Sequence, residues 1–215
     1  MRVVAGSARG RVIVAPQGTI VRPTADRVRQ ATFNSLESRT FVAGATVVDL
    51  FAGTGALGLE ALSRGARHAT FVDSERLSVE CIRQNAAHLG FEHRCQVVRS
   101  DALQWLQSPS MGLGTAQAFA VEAGAPLLVL ADPPYAFTAW AELLTLLLPF
   151  FEAAADDSIL VLESPKSMEV QPGWELEREQ RYGAAVVTML RPLHERRSRL
   201  MQVRAQADTV ASDDH

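Results

Sequence analysis

The chain has few cysteines and no long apolar run, and each absence excludes some classes of protein. Cys81 and Cys95 are its two cysteines, and both fall within predicted elements. We therefore expect reduced thiols and no redox chemistry. No apolar run is long enough for a membrane-spanning helix. Residues 1–6 lack the apolar stretch and cleavage site of a secretory signal, which predicts a cytoplasmic protein.

The sequence also lacks the spacing of a metal centre or of a hydrolytic nucleophile. Its five histidines show no metal-ligand spacing. Ser63, Ser74 and Ser164 do not lie in a nucleophile elbow. We therefore expect neither a bound metal nor a serine nucleophile.

Charge is distributed unevenly along the chain, although the net charge is only −3. Residues 1–39 hold seven arginines against two acids, and residues 191–204 hold five arginines against one. This polarity fits a polyanionic partner such as a nucleic acid. Solvated charged faces explain it equally well, and the preference for arginine over lysine could reflect genome composition.

Residues 46–163 alternate short apolar runs with amphipathic stretches, a pattern typical of βαβ units on a parallel sheet. The predicted strands span residues 46–50, 68–72, 94–98, 127–131 and 158–163. The predicted helices span residues 56–64, 75–89, 101–106 and 138–150. The runs 174–181 and 184–190 have no helix between them and predict a terminal antiparallel hairpin. The fold class is therefore α/β, with a doubly wound, mostly parallel sheet.

The segment before this sheet predicts a small β-hairpin and a helix. Short apolar runs flank a glycine-framed basic turn at residues 6–10. Pro23 blocks a helix upstream and Thr24 suits an N-cap, which predicts a helix from there to about Leu36. Residues 107–125 are rich in glycine and small side chains and predict a loop.

A glycine-rich stretch joins the first predicted strand to the first helix of the sheet. Its glycines match the G-x-G-x-x-G pattern and are Gly53, Gly55 and Gly58. Such a loop lets backbone approach a ligand closely, and a dinucleotide pyrophosphate would suit it too. Two features favour a cationic ligand instead: the acidic Asp49 at the strand end, and the bulky Phe51-Ala52 where a pyrophosphate needs an open turn.

Two further acids follow the next two predicted strands. Asp73 could accept hydrogen bonds from both ribose hydroxyls of an adenosine-type cofactor or of NAD. Asp101 could accept one from an adenine amino group, or it could be the N-cap of the helix that follows. Both interpretations of Asp101 remain open.

The fourth predicted strand ends in the most specific signal, Asp132-Pro133-Pro134-Tyr135. The prolines fix the backbone and remove amide donors, so carbonyls and the Asp132 carboxylate form an acceptor-rich rim that suits an amino group. Tyr135 offers a face on which a base can stack. A merely rigid turn is the alternative. Residues 163–166, after the fifth strand, could line the same cleft or simply turn the chain.

These motifs resemble those of class I methyltransferases. Residues 49–58 are similar to the cofactor loop, and residues 132–135 to the (Asp/Asn)-Pro-Pro-(Tyr/Phe) motif of members that methylate amino groups. R-V-V-A-G and R-G-R in residues 2–11, with R-P-T, R-V-R and F-N-S-L in residues 22–36, narrow the resemblance to the bacterial RsmD family. That family methylates guanine N2 in small-subunit (16S) ribosomal RNA. The resemblance covers residues 1 to about 192.

The resemblance implies a seven-stranded sheet, S-adenosylmethionine as cofactor, and 16S ribosomal RNA or a partly assembled small subunit as partner, without metal or membrane. It implies an RNA-contacting extension at residues 1–39, a methyltransferase domain at 40–192 and a polar tail at 193–215. The implied cofactor residues are Asp49, Phe51, Ala52, Gly53, Thr54, Gly55, Asp73, Ser74, Asp101 and Ala102. The implied catalytic residues are Asp132, Pro133, Pro134 and Tyr135. The implied RNA-binding residues are Arg9, Arg11, Arg22, Thr24, Arg27 and Arg29.

Other functions share parts of this pattern. The proline motif also occurs in enzymes that methylate adenine N6 or a glutamine amide nitrogen. The assignment of guanine as the substrate therefore depends on the N-terminal resemblance. An NAD-dependent oxidoreductase would share the glycines but leaves residues 132–135 and the arginines unexplained. A non-catalytic RNA-binding module would have no need of Asp49, Asp73 and Asp132.

Overall fold

The computed structural model describes residues 1–16, 23–108, 126–152 and 154–193. Arg22, most of the predicted loop 107–125 and nearly all of the predicted tail lie outside the described residues, as does the side chain of Thr24. The predictions made for those residues are not addressed by the structure, with one exception: the first helix begins at Pro23, so Thr24 lies within its first turn and its predicted position as N-cap is wrong.

Seven strands form one sheet within the described residues. They are β1 (Thr46–Leu50), β2 (His68–Asp73), β3 (Cys95–Arg99), β4 (Leu127–Ala131), β5 (Ile159–Ser164), β6 (Trp174–Tyr182) and β7 (Ala185–Pro192). Their order is β3-β2-β1-β4-β5-β7-β6, and β7 runs antiparallel to both of its neighbours. The remaining pairs are parallel. The predicted doubly wound sheet with a terminal antiparallel hairpin is thus confirmed.

Helices cover both faces of this sheet. They are α1 (Pro23–Glu37), α2 (Ala56–Ser63), α3 (Arg76–Leu89), α4 (Ala102–Gln107) and α5 (Trp140–Glu152). One hydrophobic core joins α1, α2 and α3 to one face, and a second joins α4 and α5 to the other. Every residue of β1 and of β4 is buried, as expected for parallel strands covered on both sides. No helix in the described ranges is long and apolar enough to cross a membrane.

The strand order determines where a ligand can bind. From β1 the chain winds outward through β2 to β3, and then returns to β4 on the other side of β1. Neighbouring helices therefore leave the sheet on opposite faces at the β1/β4 boundary, and a crevice opens at the carboxyl ends of these strands. The glycine-rich stretch and residues 132–135 both follow strands that end at this crevice.

The N-terminal arm (residues 1–16) is a minimal hairpin packed on α2. Its two halves meet at one antiparallel bridge, between Arg2 and Val12, supported by backbone hydrogen bonds such as Val3 N–H to Arg11 O at 3.0 Å. At Gly6, which has a φ of 79°, a Cβ atom would lie 1.9 Å from the Ser63 carbonyl oxygen. Only glycine permits that contact, so the sequence of the turn dictates how closely the arm approaches α2.

Candidate active site

The glycine loop (residues 51–55) connects β1 to α2 with an unusual backbone. Phe51, Gly53 and Gly55 have positive φ values of 57°, 55° and 77°. For a bulky residue such as Phe51 this conformation is strained and typically costs about 1–3 kcal/mol. The Ala52 N–H donates to the Val72 carbonyl at 3.1 Å, which ties the loop to β2. Strain of this kind concentrates at ligand sites, which supports a binding role for the loop.

The third glycine of the motif serves packing. A Cβ atom at Gly58 would lie 2.4 Å from the ring of Phe71, so only glycine allows α2 to lie so close to β2. The Gly58 N–H donates to Asp49 Oδ2 at 2.9 Å. Asp49 therefore accepts a hydrogen bond from the first turn of α2, and this bond fixes the helix N-terminus next to the loop.

Asp49 is a buried acid close to other carboxylates, and only 1% of its surface is exposed. Burial raises the pKa of Asp49 well above its usual range. The hydrogen bond from Gly58 opposes this rise, while the nearby carboxylates of Asp132 and Asp73 add to it. A positively charged ligand in the crevice would reduce the electrostatic repulsion between these carboxylates.

Asp73 and Asp101 both bond to backbone N–H groups near the loop. Asp73 Oδ2 accepts from Gly53 N–H at 2.7 Å, and its Oδ1 accepts from Glu75 N–H at 2.9 Å. Asp101 Oδ1 accepts from Gln104 N–H at 3.0 Å, so its predicted role as the N-cap of α4 is confirmed. The adenine contact of Asp101 stays a prediction.

Two concave sites flank the glycine loop. The outer cleft lies over the ends of β2 and β3, and the residues lining it include Asp73, Ser74, Glu75, Ser100, Asp101 and Ala102. None of the described residues that line it is basic. The inner cavity lies between α1, the loop and the ends of β4 and β5, and the residues lining it include Arg29, Thr32, Asp49, Thr54, Val161 and Glu163. Phe51, Gly53 and Asp132 line both sites, so the two meet at Asp132.

The turn at residues 132–135 is held against the glycine loop. Asp132 is exposed, Pro133 is buried, and Tyr135 is 69% exposed with its ring open to a partner. The Pro134 carbonyl accepts from Phe137 N–H at 2.8 Å, and the Phe137 ring contacts that of Phe51 edge-on at 5.2 Å. The turn and the loop therefore form one rigid rim. In the described part of the chain, no three His, Cys, Asp or Glu side chains are placed to hold a metal ion together.

The arginines predicted to contact RNA fall into two groups. Arg9 and Arg27 are exposed. The Arg11 guanidinium donates to the carbonyls of His88 and Leu89 at the carboxyl end of α3. Arg29 is 4% exposed and lies 3.0 Å from Asp26 and 3.5 Å from Glu60. The structure thus leaves Arg9, Arg11 and Arg27 exposed, with Arg11 bonded to backbone carbonyls, and it buries Arg29.

Glu60, which the sequence analysis did not select, connects the arm to α2. It is fully buried in α2. Its carboxylate accepts from Val4 N–H at 2.8 Å, from Ala5 N–H at 3.0 Å and from Arg64 Nε at 2.8 Å. Its position as a single acid within the apolar sequence A-L-G-L-E-A-L-S was the available signal. Such an acid must be paired to be buried.

The sheet order, the strained glycine loop at the switch point and the acidic-proline turn at the end of β4 define a class I methyltransferase. The chain belongs to the family described as Conserved hypothetical protein 95, whose model matches residues 1–191. This is the RsmD family, so the family predicted from the sequence is confirmed.

Individual relatives agree with this assignment. The chain is 34% identical over 187 residues to Ribosomal RNA small subunit methyltransferase D of Escherichia coli (strain K12), covering 83% of each chain. It is similar to the solved structure of yhhF from Escherichia coli, with a TM-score of 0.69 and 32% identity over 89% of this chain and 97% of that one. It is also similar to the structure of the hypothetical protein TTHA0928 of Thermus thermophilus, with a TM-score of 0.65 and 26% identity over 89% and 99% of the chains.

Proposed function

We propose that this protein transfers a methyl group from S-adenosylmethionine to the exocyclic N2 amino group of a guanine in small-subunit ribosomal RNA, in the cytoplasm. The observation that carries the proposal is the position of Asp132, which lies where the outer cleft and the inner cavity meet. A bound cofactor and a target base entering from opposite sides would meet there. The name of the Escherichia coli relative supports ribosomal RNA as the substrate.

The chemistry of the outer cleft fits S-adenosylmethionine better than a dinucleotide. Its charged lining residues in the described part of the chain are Asp73, Glu75, Asp101 and Asp132. Carboxylates suit ribose hydroxyls, an adenine amino group and a positively charged sulfur, whereas they repel a pyrophosphate. We assign Asp73, Ser74, Asp101 and Ala102 to the adenosine part, and Asp49 with residues 51–55 to the part that carries the sulfur.

Catalysis would depend on positioning. When bound, S-adenosylmethionine supplies an electrophilic methyl group on a positively charged sulfur. Asp132 accepts a hydrogen bond from the exocyclic amine and turns the nitrogen lone pair towards that methyl group. As the new N–C bond forms, the S–C bond breaks, and the surplus amine proton passes to Asp132 or to water. Pro133 and Pro134 keep the rim rigid, and Tyr135 stacks on the base.

We propose that residues 1–39 form the RNA-contacting extension of a catalytic domain spanning residues 40–192. Arg9 and Arg27 are exposed and can reach phosphates. Arg11 ties the arm to the end of α3, and the buried Arg29 of α1 donates to the Arg2 carbonyl of the arm and pairs with Glu60 of α2. Arginine also stacks on unpaired bases, which suits single-stranded or looped RNA.

Calorimetry and product analysis test this function together. We expect the purified protein to bind S-adenosylmethionine and not NAD. Incubation with S-adenosylmethionine and ribosomal RNA from a strain lacking the gene should yield N2-methylguanosine by mass spectrometry of the digested RNA. N6-methyladenosine would assign the enzyme to adenine, and methylation of glutamine in ribosomal proteins would move the substrate from RNA to protein. Binding of NAD alone would contradict the proposal, and so would RNA binding without cofactor binding.

A further inference from the structure

Glu163 is placed beside Asp132 by the register of the sheet. In the parallel pair of β4 and β5, Ala131 lies opposite Leu162; Asp132 directly follows the last residue of β4, and Glu163 is the next residue of β5. Neighbouring strands lie about 4.8 Å apart, and residues in register project to the same face. Both side chains line the inner cavity.

The backbone at Glu163 is fixed from the other side as well. Glu163 lies within β5 and pairs with Val187 of β7 in the antiparallel ladder. Its side chain is partly buried. A carboxylate on a strand held by partners on both sides is positioned more accurately than one on a loop, which suits a residue that reads a ligand.

The opposite wall of the inner cavity, formed by α1, carries hydrogen-bond donors. Arg29 and Thr32 line it. Arg29 is buried, and its Nε atom forms an ion pair with Glu60 Oε2 at 3.5 Å without a geometric hydrogen bond. The cavity therefore presents two acceptor groups on one side and donors on the other. This arrangement suits a heterocyclic base whose edges carry both hydrogen-bond donors and acceptors.

Guanine and adenine differ at the atom next to the exocyclic amine. Guanine carries an N1–H donor beside its N2 amino group, whereas adenine carries a bare N1 acceptor beside its N6 amino group. With the amine held by Asp132, a second carboxylate one strand away can accept from guanine N1–H. The same carboxylate would face the lone pair of adenine N1 and repel it. Loss of one such bond, with a buried polar group left unpaired, can discriminate strongly between substrates.

We propose that Glu163 is a specificity-determining residue that selects guanine by accepting a hydrogen bond from its N1–H. This inference rests on the proposed function, and it adds the group that separates guanine from other bases with an exocyclic amine. It predicts that the enzyme tests position 1 of the base in addition to the presence of the amine.

The base 2-aminopurine provides the test, because it keeps the 2-amino group but replaces N1–H with an acceptor. Once the methylated nucleotide has been mapped with the wild-type enzyme, a synthetic RNA fragment carries guanine or 2-aminopurine at that position. We expect the wild type to prefer guanine by about 100-fold or more in kcat/KM. In Glu163→Gln this preference should fall at least tenfold, because the amide can donate as well as accept, while affinity for S-adenosylmethionine stays unchanged.

Controls separate this role from a structural one. Glu169→Gln, on the exposed segment after β5, should keep the wild-type preference. Glu163→Asp retains a carboxylate and should keep most of the preference for guanine even if its overall rate falls. An unchanged guanine preference in Glu163→Gln would overturn the inference, and so would weaker cofactor binding, which would assign Glu163 to the cofactor. If the wild type forms no N2-methylguanosine at all, the proposed function itself fails, and that result appears before any variant is compared.

Discussion

The N-terminal arm with α1 and the carboxyl edge of the sheet are both rich in charge, but they use it differently. In the arm and α1, Arg2 bonds to the Gly10 carbonyl, Arg11 to the end of α3, and Arg29 to acids in α1 and α2. At the sheet edge, acids face two cavities that small molecules can enter. A cluster of like charges in the sequence therefore does not tell which side chains remain available to a partner.

The difference follows from topology. Residues at the ends of parallel strands come together at one edge whatever their separation in the sequence, so Asp49, Asp73 and Asp132 meet because of the strand order. The fate of an arginine in a short arm depends on which tertiary partner lies within reach. Functional acids at strand ends are therefore predictable in a way that functional arginines are not.

The largest expected effect comes from Glu60 of α2, whose carboxylate binds the arm and buried arginines. Glu60→Ala removes one acceptor of the buried guanidinium groups of Arg29 and Arg64, and it removes the acceptor of two backbone N–H groups of the arm. We expect a loss of about 3–5 kcal/mol in the free energy of unfolding, measured by urea denaturation. Glu80→Ala, which removes an exposed helix pair with Arg76, should change it by well under 1 kcal/mol. Similar small losses in both variants would show that the arm is not held through Glu60.

Asp132 tests the sheet edge. Asp132→Ala should slow methyl transfer in a single turnover by about 100- to 1,000-fold, the range found when a positioned polar group is removed from an active site. Affinity for S-adenosylmethionine by calorimetry should change far less, because the carboxylate acts on the base. The exposed Glu169→Ala serves as the matched control and should retain the wild-type rate. A near wild-type rate in Asp132→Ala would remove it from the reaction.

Asp73 tests the outer cleft. Asp73→Ala should weaken binding of S-adenosylmethionine by about 1–3 kcal/mol, because it removes an acceptor for the ribose hydroxyls and frees the N–H of Gly53 in the glycine loop. Asp101→Ala removes the N-cap of α4 and should lower stability by about 1 kcal/mol. Cofactor affinity measured in both variants shows whether Asp101 also contacts the adenine. Unchanged affinity in Asp73→Ala would contradict its assignment.

Asp49 gives a pH-dependent prediction. Because burial raises its pKa in the folded protein, the unfolded chain loses this proton at lower pH than the folded one. Stability of the ligand-free protein should therefore fall as pH rises above the ordinary aspartate value, until the raised folded pKa is passed. Asp49→Asn keeps an acceptor for Gly58 N–H and should flatten that fall, measured by denaturation at several pH values. A pH dependence identical to that of the wild type would show that the pKa of Asp49 is not raised in the folded protein.

The sequence predicted most of the fold and the acids of the site, and it predicted the arm less well. The predicted strand ends all lie within two residues of the observed ones, because short apolar runs separated by amphipathic stretches and glycines mark these strands. The N-cap role of Asp101 was one of two interpretations that the local sequence left open, and the structure confirms it. The pairing of Arg11 with the end of α3 spans 78 residues, and that of Val4 with Glu60 spans 56, so no local pattern carries them. For the segment that contains Glu163, the sequence left open whether it lines the cleft or only turns the chain. The position of Glu163 next to Asp132 depends on the sheet register, which no local pattern carries.

The smallest expected effect concerns exposed arginines of the arm and α1, and it separates those available to RNA from one that is bonded to the protein. If Arg9 and Arg27 contact phosphates, each should contribute about 0.7 to the slope of log RNA affinity against log salt concentration for single strands. Arg9→Ala with Arg27→Ala should then lower RNA affinity and flatten this slope, while stability and cofactor affinity remain as in the wild type.

Arg11→Ala is the matched variant, since it lies in the same arm but bonds to the carbonyls of His88 and Leu89. It should lower the free energy of unfolding, because these carbonyls lose a charged donor, and leave the salt slope unchanged. RNA affinity at several salt concentrations, measured for the wild type and both variants, decides the matter. If the double variant keeps the wild-type slope, its arginines are solvated charges without a phosphate partner. If Arg11→Ala flattens the slope instead, its bonds to these carbonyls give way when RNA binds, and bonding within the protein would no longer distinguish structural from functional arginines in this arm.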